Sequence, residues 1–213
     1  MTALRREFIG FAVDCGALRF GEFKTKAGRM SPYFFNAGAF NDGNSLRRLG
    51  QFYAKAILDA RLAFDMLYGP AYKGIPLVSA IAIALAEHGH NHPFCFNRKE
   101  AKDHGEGGSL VGAPLAGRVL IVDDVISAGV SMRESVGHIR AAHAVPCGVI
   151  IALDRMERGM GELSATQEAI HAYGMQIACI ANLDDIVEYL RWAGNEEADL
   201  GAIEDYRARY GII

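Results

Sequence analysis

Two adjacent carboxylates, Asp123 and Asp124, directly follow the apolar run Val119–Val122. Such a run is typical of a short strand buried on both faces, as in a parallel sheet. A short turn follows, and Ser131 and Glu134 have capping-box spacing, which predicts a helix that begins just after Ser131. Ligands of open α/β sheets bind where a strand leads into a helix, whose N-terminal N–H groups attract anions. An anion pocket beside two carboxylates, which can hold hydroxyls or a hydrated cation, indicates a site for a sugar phosphate.

Other interpretations of this stretch are open. Many apolar strands end in an aspartate that only caps a loop. The strand-Asp-Asp pattern is also typical of the Walker B segment of nucleotide hydrolases, but that class needs a G-x-x-x-x-G-K-[ST] run, which the sequence lacks. The dinucleotide fingerprint G-x-G-x-x-G is missing as well. Taken alone, the stretch favours phosphate binding over a purely structural role only slightly.

The whole segment 119–131 resembles the phosphoribosyl-pyrophosphate (PRPP) signature of type I phosphoribosyltransferases, in which a hydrophobic strand and two acids precede a short phosphate loop. Three further stretches narrow the resemblance to the bacterial type of orotate phosphoribosyltransferases. They are Ser31–Asn36, Gly69–Gly74 and Phe96–Gly107. The similarity runs nearly from end to end, and four motifs in the same order are not explained by coincidence.

This resemblance implies a reaction and a set of site residues. The reaction is transfer of the 5-phosphoribosyl group from PRPP to orotate in the de novo route to UMP, giving orotidine 5′-phosphate and pyrophosphate. Mg²⁺ is the implied cofactor, bound mainly through PRPP and water without a direct protein ligand. The implied PRPP contacts are Lys26, Tyr72, Lys73, Arg98, Lys99, Lys102, His104, Asp123, Asp124, Val125, Ile126, Ser127, Ala128, Gly129, Val130 and Ser131. The implied orotate contacts are Phe34, Phe35, Ser127 and Arg155, and the implied catalytic residues are Lys102 and Asp124.

The most charged segment of the chain is 98–109, where basic and acidic side chains alternate before a group of glycines. Such a segment cannot bury its charges cheaply, and long loops in compact domains often act as lids. A surface linker is the alternative. Under the resemblance the segment is a lid over pyrophosphate, in which Lys102 stabilises the leaving-group charge and is not a nucleophile.

Several candidate contacts also have an ordinary structural interpretation. The loop around Lys73 fits any turn between a strand and a helix. Adjacent aromatic residues such as Phe34 and Phe35 are more often core residues than ligand contacts. A lone arginine such as Arg155 usually forms a surface ion pair, and a hairpin lysine such as Lys26 is usually solvated. The resemblance instead assigns Arg155 to the orotate carboxylate, for which a planar guanidinium is well suited.

One residue departs from the pattern of the family, and one group of histidines is interpreted separately. Val130 occupies the position after the glycine of the phosphate loop where the family usually has threonine, so one hydroxyl contact to the 5′-phosphate is missing. His88, His90 and His92 alternate in a turn, a spacing without the fixed geometry of a metal site. We interpret these histidines as a solvated helix end.

Composition excludes several classes of protein. A net charge of -3 gives no general attraction to nucleic acid. The four cysteines are far apart and form no C-x-x-C, which favours a reduced, cytoplasmic compartment over disulfides or structural zinc. The charged N-terminus is not typical of a signal peptide, and the most apolar predicted helix, Ile75–Ala86, is too short to span a bilayer. We therefore expect no nucleic-acid partner and no membrane association.

The predicted elements form one domain over residues 1–213. Strands at 64–68, 94–96, 119–122, 149–153 and 175–181 alternate with helices, which predicts an α/β fold with a mainly parallel five-stranded sheet flanked by helices. An antiparallel hairpin of 20–26 with 33–37 predicts a small N-terminal hood, formed chiefly by residues 1–40. The predicted helices are 4–15, 45–61, 75–87, 132–143, 164–172, 182–192 and 196–210. The resemblance implies the type I phosphoribosyltransferase fold.

The resemblance also implies a homodimer in which each lid covers the PRPP site of the neighbouring subunit. Two other functions are open. A PRPP-binding regulatory protein would be expected to lose the lid lysines or gain a basic nucleic-acid face, and this chain keeps Lys102 and His104. A phosphoribosyltransferase for another base is disfavoured by Phe34, Phe35 and Arg155.

Overall fold

A computed structural model of the protein describes residues 1–25, 28–102, 108–126, 130–159, 161–194 and 198–212, with backbone only at 101, 102 and 108. The helices are α1 (Ala3–Asp14), α2 (Gly43–Asp59), α3 (Gly74–Glu87), α4 (Val130–Ala141), α5 (Ala165–Tyr173), α6 (Leu183–Ala193) and α7 (Leu200–Tyr210). The strands are β1 (Leu18–Lys24), β2 (Met30–Phe35), β3 (Met66–Gly69), β4 (Phe94–Lys102), β5 (Gly108–Gly112), β6 (Arg118–Asp123), β7 (Val145–Asp154) and β8 (Gln176–Asn182). A short 3₁₀ turn covers Ala37–Ala39.

The central sheet has the strand order β5-β4-β3-β6-β7-β8. The five strands β4, β3, β6, β7 and β8 all run parallel to one another, which confirms the predicted mainly parallel sheet. The edge strand β5 is antiparallel to β4 and was not predicted. Strand β6 lies in the middle of the sheet, between β3 and β7, so its carboxyl end is enclosed by neighbouring loops.

Successive side chains along each strand point to opposite faces of the sheet, and a hydrophobic core lies on each face. In β6, Leu120 and Val122 pack into the larger core with α1, α2, α3, α6 and α7. Val119 and Ile121 point to the opposite face and pack into the smaller core under α4 and α5. Burial on both faces explains why the run 119–122 is continuously apolar.

The predicted hood hairpin is confirmed as an antiparallel sheet of β1 and β2, with bounds a few residues earlier than predicted. Helix α7 packs against β2, so the C-terminal end of the chain helps to hold the hood. The predicted helices are present as well. The N-cap predicted at Asn182 is confirmed, because its side chain accepts a hydrogen bond from Asp185 N and Asp185 completes a capping box.

Two predicted boundaries change. The segment 98–109 is not a loop throughout, because β4 continues to Lys102 and β5 begins at Gly108. The segment predicted as a lid therefore overlaps the antiparallel pair of β4 and β5, here named the β4–β5 hairpin, and residues 103–107 between the two strands lie outside the described residues. Helix α4 begins at Val130, one residue before Ser131. Within the described residues no helix is both long and apolar enough to cross a membrane.

Candidate active site

The two carboxylates lie at the carboxyl end of β6, in the middle of the sheet. Asp123 is the last residue of the strand, and Asp124 begins the loop toward α4. Asp124 is only 5% exposed, although it belongs to a loop. Its backbone oxygen accepts a hydrogen bond from Ala152 N of β7 at 3.0 Å, which fixes the loop against the neighbouring strand. The backbone of Asp124 is thus held by the sheet.

Asp123 is positioned by hydrogen bonds to both of its carboxylate oxygens. Oδ1 accepts from Asp124 N at 2.9 Å, and Oδ2 accepts from Ser131 Oγ at 3.0 Å. Ser131 therefore serves the carboxylate, which corrects its predicted role as a helix cap. Burial, together with the neighbouring charge of Asp124, raises the pKa of Asp123 from 3.8 to about 6.

Asp124 is paired with a lysine from a distant part of the chain. Lys73 Nζ donates to Asp124 Oδ2 at 2.6 Å, across a separation of 51 residues. Asp124 Oδ1 accepts from Val125 N at 3.0 Å. The Lys73 side chain is half exposed, so it remains accessible from solvent while it contacts the carboxylate. One cation therefore faces two acids at this edge of the sheet.

The loop that carries Lys73 is shaped by two glycines that touch each other. A Cβ atom on Gly69 would overlap the carbonyl oxygen of Gly74, and a Cβ on Gly74 would lie 2.7 Å from the carbonyl carbon of Gly69. The Ala71–Tyr72 peptide bond within this loop is cis. The close approach of β3 to the start of α3 explains why glycine flanks the loop on both sides.

The same loop contacts β4, which carries further predicted PRPP residues. Buried Asn97 accepts a hydrogen bond from Ala71 N at 2.8 Å through Oδ1. The ammonium of Lys99 lies 5.1 Å from the ring centre of Tyr72, a cation–π distance. Arg98 is half-buried beside Asn97 in sequence. The loop after β3 and the adjoining part of β4 thus form one connected surface with basic side chains.

Two supporting residues were missed by the sequence analysis. Tyr53 is fully buried in α2, and its hydroxyl donates to the backbone oxygen of Asp123 at 2.8 Å. Asn97 holds the Lys73 loop as described above. Both act through tertiary contacts that no local pattern of residue types reveals.

The structure separates the two aromatic residues predicted to cover orotate. Successive residues of β2 point to opposite faces, so Phe35 is 7% exposed and packs near Phe8 and Phe40. Phe34 is 37% exposed and stacks on Phe23 at 5.4 Å. The prediction that both rings cover one flat ligand is wrong for this arrangement, because the Phe35 ring is a core side chain. Phe34 remains the candidate ring.

Arg155 follows the carboxyl end of β7, next to the strand that carries the two acids. Its guanidinium lies 4.4 Å from the ring centre of Tyr33 in the hood and donates to Glu157 and Ser31. The interpretation as a solvent-exposed ion pair is wrong, because the side chain is only 15% exposed. Arg155 therefore connects the hood to the core.

Several predicted contacts have no described geometry. Lys26, His104, Ser127, Ala128 and Gly129 lie outside the described residues, and Lys102 is described by its backbone alone. Val125 and Ile126 are half-buried, and Val130 is 55% exposed at the first position of α4. The roles assigned to these residues stay predictions.

The histidine turn lies away from this site. His92 packs on Phe64 at 4.4 Å and its Nδ1 lies 3.3 Å from the backbone oxygen of Asp65, before the start of β3. That position is at the amino ends of the parallel strands, whereas Asp123 is at a carboxyl end. Over the described parts of the chain, no group of three or more His, Cys, Asp or Glu side chains has the geometry to hold a metal ion.

Comparison with known proteins gives one consistent result. The model of the phosphoribosyl transferase domain matches residues 37–165. The chain is 71% identical to an orotate phosphoribosyltransferase of Nitrosospira multiformis, over 99% of this chain and 92% of the relative. It is 62% identical to the orotate phosphoribosyltransferase of Thiobacillus denitrificans, over the full length of both. The crystal structure of the Francisella tularensis enzyme of the same name superposes with a TM-score of 0.87 at 38% identity, covering 96% of this chain and 99% of that one.

Proposed function

Because the chain belongs to the orotate phosphoribosyltransferase family, we propose that its PRPP site is the carboxyl edge built on Asp123, Asp124 and Lys73. The reaction of the family is transfer of the 5-phosphoribosyl group from PRPP to orotate, a step of pyrimidine biosynthesis. The observation that carries the assignment of the site is the 2.6 Å contact of Lys73 with Asp124. It joins two of the four recognised motifs at a single point.

The two acids act on the ribose. As the bond between C1 and pyrophosphate stretches, the ring gains positive charge and resembles an oxocarbenium ion. Asp123 and Asp124 accept hydrogen bonds from the ribose hydroxyls and place negative charge beside the ring. Fixed, largely buried carboxylates suit this task because they need little reorganisation during the reaction. The raised pKa of Asp123 means that this charge depends on pH.

Basic residues of three segments receive the pyrophosphate. Lys73 lies in the loop before α3 and Lys99 lies on β4, with Tyr72 under the Lys99 ammonium. Arg98 and Lys102 add positive charge from β4, and the proposal includes His104, which follows in the sequence. Lys102 is the main catalytic side chain of the proposal, because a cation on the leaving group stabilises the transition state more than the ground state.

Mg²⁺ is the proposed cofactor. Carboxylate oxygens are suitable partners for its hydration shell, and Asp123 and Asp124 offer two carboxylates next to the expected position of PRPP. When bound, the ion neutralises charge on the pyrophosphate oxygens. The protein residues orient the ribose and, with the hairpin closed, exclude water that would hydrolyse PRPP.

Orotate is recognised from the hood and from β7. The exposed ring of Phe34 offers a face to the flat base, and Lys26 and Ser127 complete the polar contacts of the proposal. Arg155 binds the carboxylate, which distinguishes orotate from bases that lack this group. The 5′-phosphate is bound by the loop that leads to α4, with Val125, Ile126, Ala128, Gly129, Val130 and Ser131 around it.

A homodimer completes the proposal. Ile83 of α3 is 64% exposed, and the surface between α2 and α3 around it is lined by Leu46, Pro76 and Ala80. An apolar helix face of this kind supports pairing with a second subunit. In the dimer the β4–β5 hairpin of one subunit covers the PRPP site of the other.

All four cysteines are free thiols, which supports a cytoplasmic protein.

Substitution of the lid lysine tests the catalytic assignment. Lys102→Ala is expected to lower kcat for orotate consumption by roughly 10²-fold or more, the scale for one lost transition-state contact. Affinity for PRPP should change much less. Absorbance of orotate, followed with PRPP and Mg²⁺, gives the rate, and Lys55→Ala on the exposed face of α2 is the matched control.

An unchanged kcat in Lys102→Ala, under conditions where chemistry limits the rate, would remove Lys102 from the mechanism. Wild-type protein that binds PRPP without consuming orotate would instead favour the regulatory alternative.

A further inference from the structure

The guanidinium of Arg155 is held along one edge by a carboxylate. Glu157 Oε1 accepts from Arg155 Nε at 2.7 Å and lies 2.5 Å from Nη2. Nη2 also donates to Ser31 Oγ at 3.1 Å, and the buried Ser31 hydroxyl in turn donates to the backbone oxygen of Tyr33 at 2.8 Å. The guanidinium is therefore fixed by two residues, Glu157 after β7 and Ser31 in the hood.

Glu157 is itself fixed by the C-terminal end of the chain. It forms a β-bridge with Gly211, and the next residue, Arg158, donates its N–H to the oxygen of Tyr210 at 2.8 Å. Arg29 Nη1 lies 3.8 Å from Glu157 Oε2 and also donates to the backbone oxygen of Arg158 at 3.1 Å. A long arginine side chain would otherwise lose considerable rotamer entropy on binding a ligand. Here that ordering is already present.

The donors that remain on Arg155 belong mainly to one nitrogen. A guanidinium has five N–H groups in a plane. Glu157 and Ser31 occupy the Nε–Nη2 side, and within the described residues Nη1 donates to no acceptor. The charges of the cluster also leave an excess of positive charge, because two cations, Arg29 and Arg155, face one anion, Glu157. The charge balance of the cluster therefore favours one further carboxylate.

From this geometry we infer that Glu157 and Ser31 are specificity-determining positioning residues. They hold Arg155 so that its Nη1 side faces the carboxylate of the base. The inference rests on the proposed function, since it presumes that Arg155 binds that carboxylate. Glu157 and Ser31 do not contact the substrate, and their effect is confined to bases that carry the carboxylate.

Two nucleotides that differ only in this carboxylate test the inference. The dissociation constants of orotidine 5′-phosphate and UMP are measured by calorimetric titration, and their ratio is the discrimination for the carboxylate. Arg155→Gln is expected to reduce the ratio about tenfold or more, the range of a lost charge-assisted contact. Glu157→Ala is expected to reduce it at least about threefold, and Ser31→Ala in the same direction. Affinity for UMP and for PRPP with Mg²⁺ should stay within about twofold of wild type.

Glu157→Gln serves as the conservative variant, because its amide oxygen still accepts from Nε. It should retain more discrimination than Glu157→Ala. If Glu157→Ala keeps or increases the ratio while Arg155→Gln reduces it, the positioning role is overturned and the proposed role of Arg155 stands. If Arg155→Gln leaves the ratio unchanged, the proposed orotate contact itself fails. A parallel loss of UMP and PRPP binding in both Glu157 variants and in Ser31→Ala would assign these residues to folding and overturn the inference.

Discussion

At the scale of single residues, Asp123 combines burial with a role that requires charge. Burial beside Asp124 raises its pKa from 3.8 to about 6, so the carboxyl is ionised at neutral pH and protonated in mild acid. The folded protein therefore binds an extra proton between these two values, and Asp123 lowers the free energy of unfolding as pH rises from about 4 to about 6. The folded protein is therefore less stable at neutral pH than it would be with an unperturbed carboxyl at this position.

The pH profile of the reaction should report this carboxyl. A protonated Asp123 cannot stabilise the positive ribose ring, so kcat/KM for PRPP is expected to fall by about tenfold per pH unit below about 6. Asp123→Asn, measured over the same range, corrects for titration of PRPP itself and should lack this step. A variant profile that keeps the wild-type step would assign the titration to another group.

Residue types and spacing were sufficient to single out Asp123 and Asp124 as candidates, and the family resemblance added Lys73. These patterns were not sufficient for Tyr53 or Asn97, whose contacts with the site cross from other elements. Recognition of a family motif also overstated one contact, since strand alternation turns the Phe35 ring into the core.

At the scale of elements, the turn from β3 into α3 sets the position of Lys73. Gly69→Ala would place a methyl group against the Gly74 carbonyl and 2.8 Å from Val78 Cβ. We expect a loss of about 1–3 kcal/mol in the free energy of unfolding, the range for overpacking a tight site, and a higher KM for PRPP. Gly137→Ala on α4 is the matched control, because a Cβ there meets no atom within 4 Å beyond the neighbouring backbone of the helix itself. It should raise the free energy of unfolding by about 0.5–1 kcal/mol. Denaturant unfolding of both variants measures the difference, and equal stabilities would show that the glycine contact is not required.

The β4–β5 hairpin shows why the lid was predicted too long. Alternating charges were interpreted as a loop, but residues 98–102 belong to β4, beyond the part of this strand that pairs with β3. The charged part of β4 has β5 as its strand neighbour. Composition alone does not distinguish a loop from such a strand. The parallel strands were easier to predict, because a short, continuous apolar run such as Val119–Val122 is typical of a strand buried on both faces.

At the scale of the whole molecule, the sheet order determines which motifs meet. Strands β3, β6 and β7 are neighbours and parallel, so the loops that follow them share one edge although they are far apart in sequence. This topology could be predicted as a class from the alternation of strands and helices. The contribution of a second subunit is a separate proposal, and mixing experiments test it.

Two inactive variants should complement each other if the hairpin serves the neighbouring subunit. Lys102→Ala and Asp124→Asn, mixed one to one with subunit exchange, give about half heterodimers, each with one intact site under two-fold symmetry. Orotate consumption should recover to about a quarter of wild-type activity per total site. Verified heterodimers without recovery would show that each hairpin covers the site of its own subunit.

The most direct test of the site is the effect of one carboxylate on the reaction rate. In the orotate absorbance assay with PRPP and Mg²⁺, Asp124→Asn is expected to lower kcat/KM for PRPP by roughly 10²-fold or more, because it removes charge beside the ribose in the transition state. Asp59→Asn, an exposed aspartate at the end of α2, should retain wild-type kcat/KM. Wild-type kcat/KM in a folded Asp124→Asn variant would contradict the assignment of this edge of the sheet as the reaction centre.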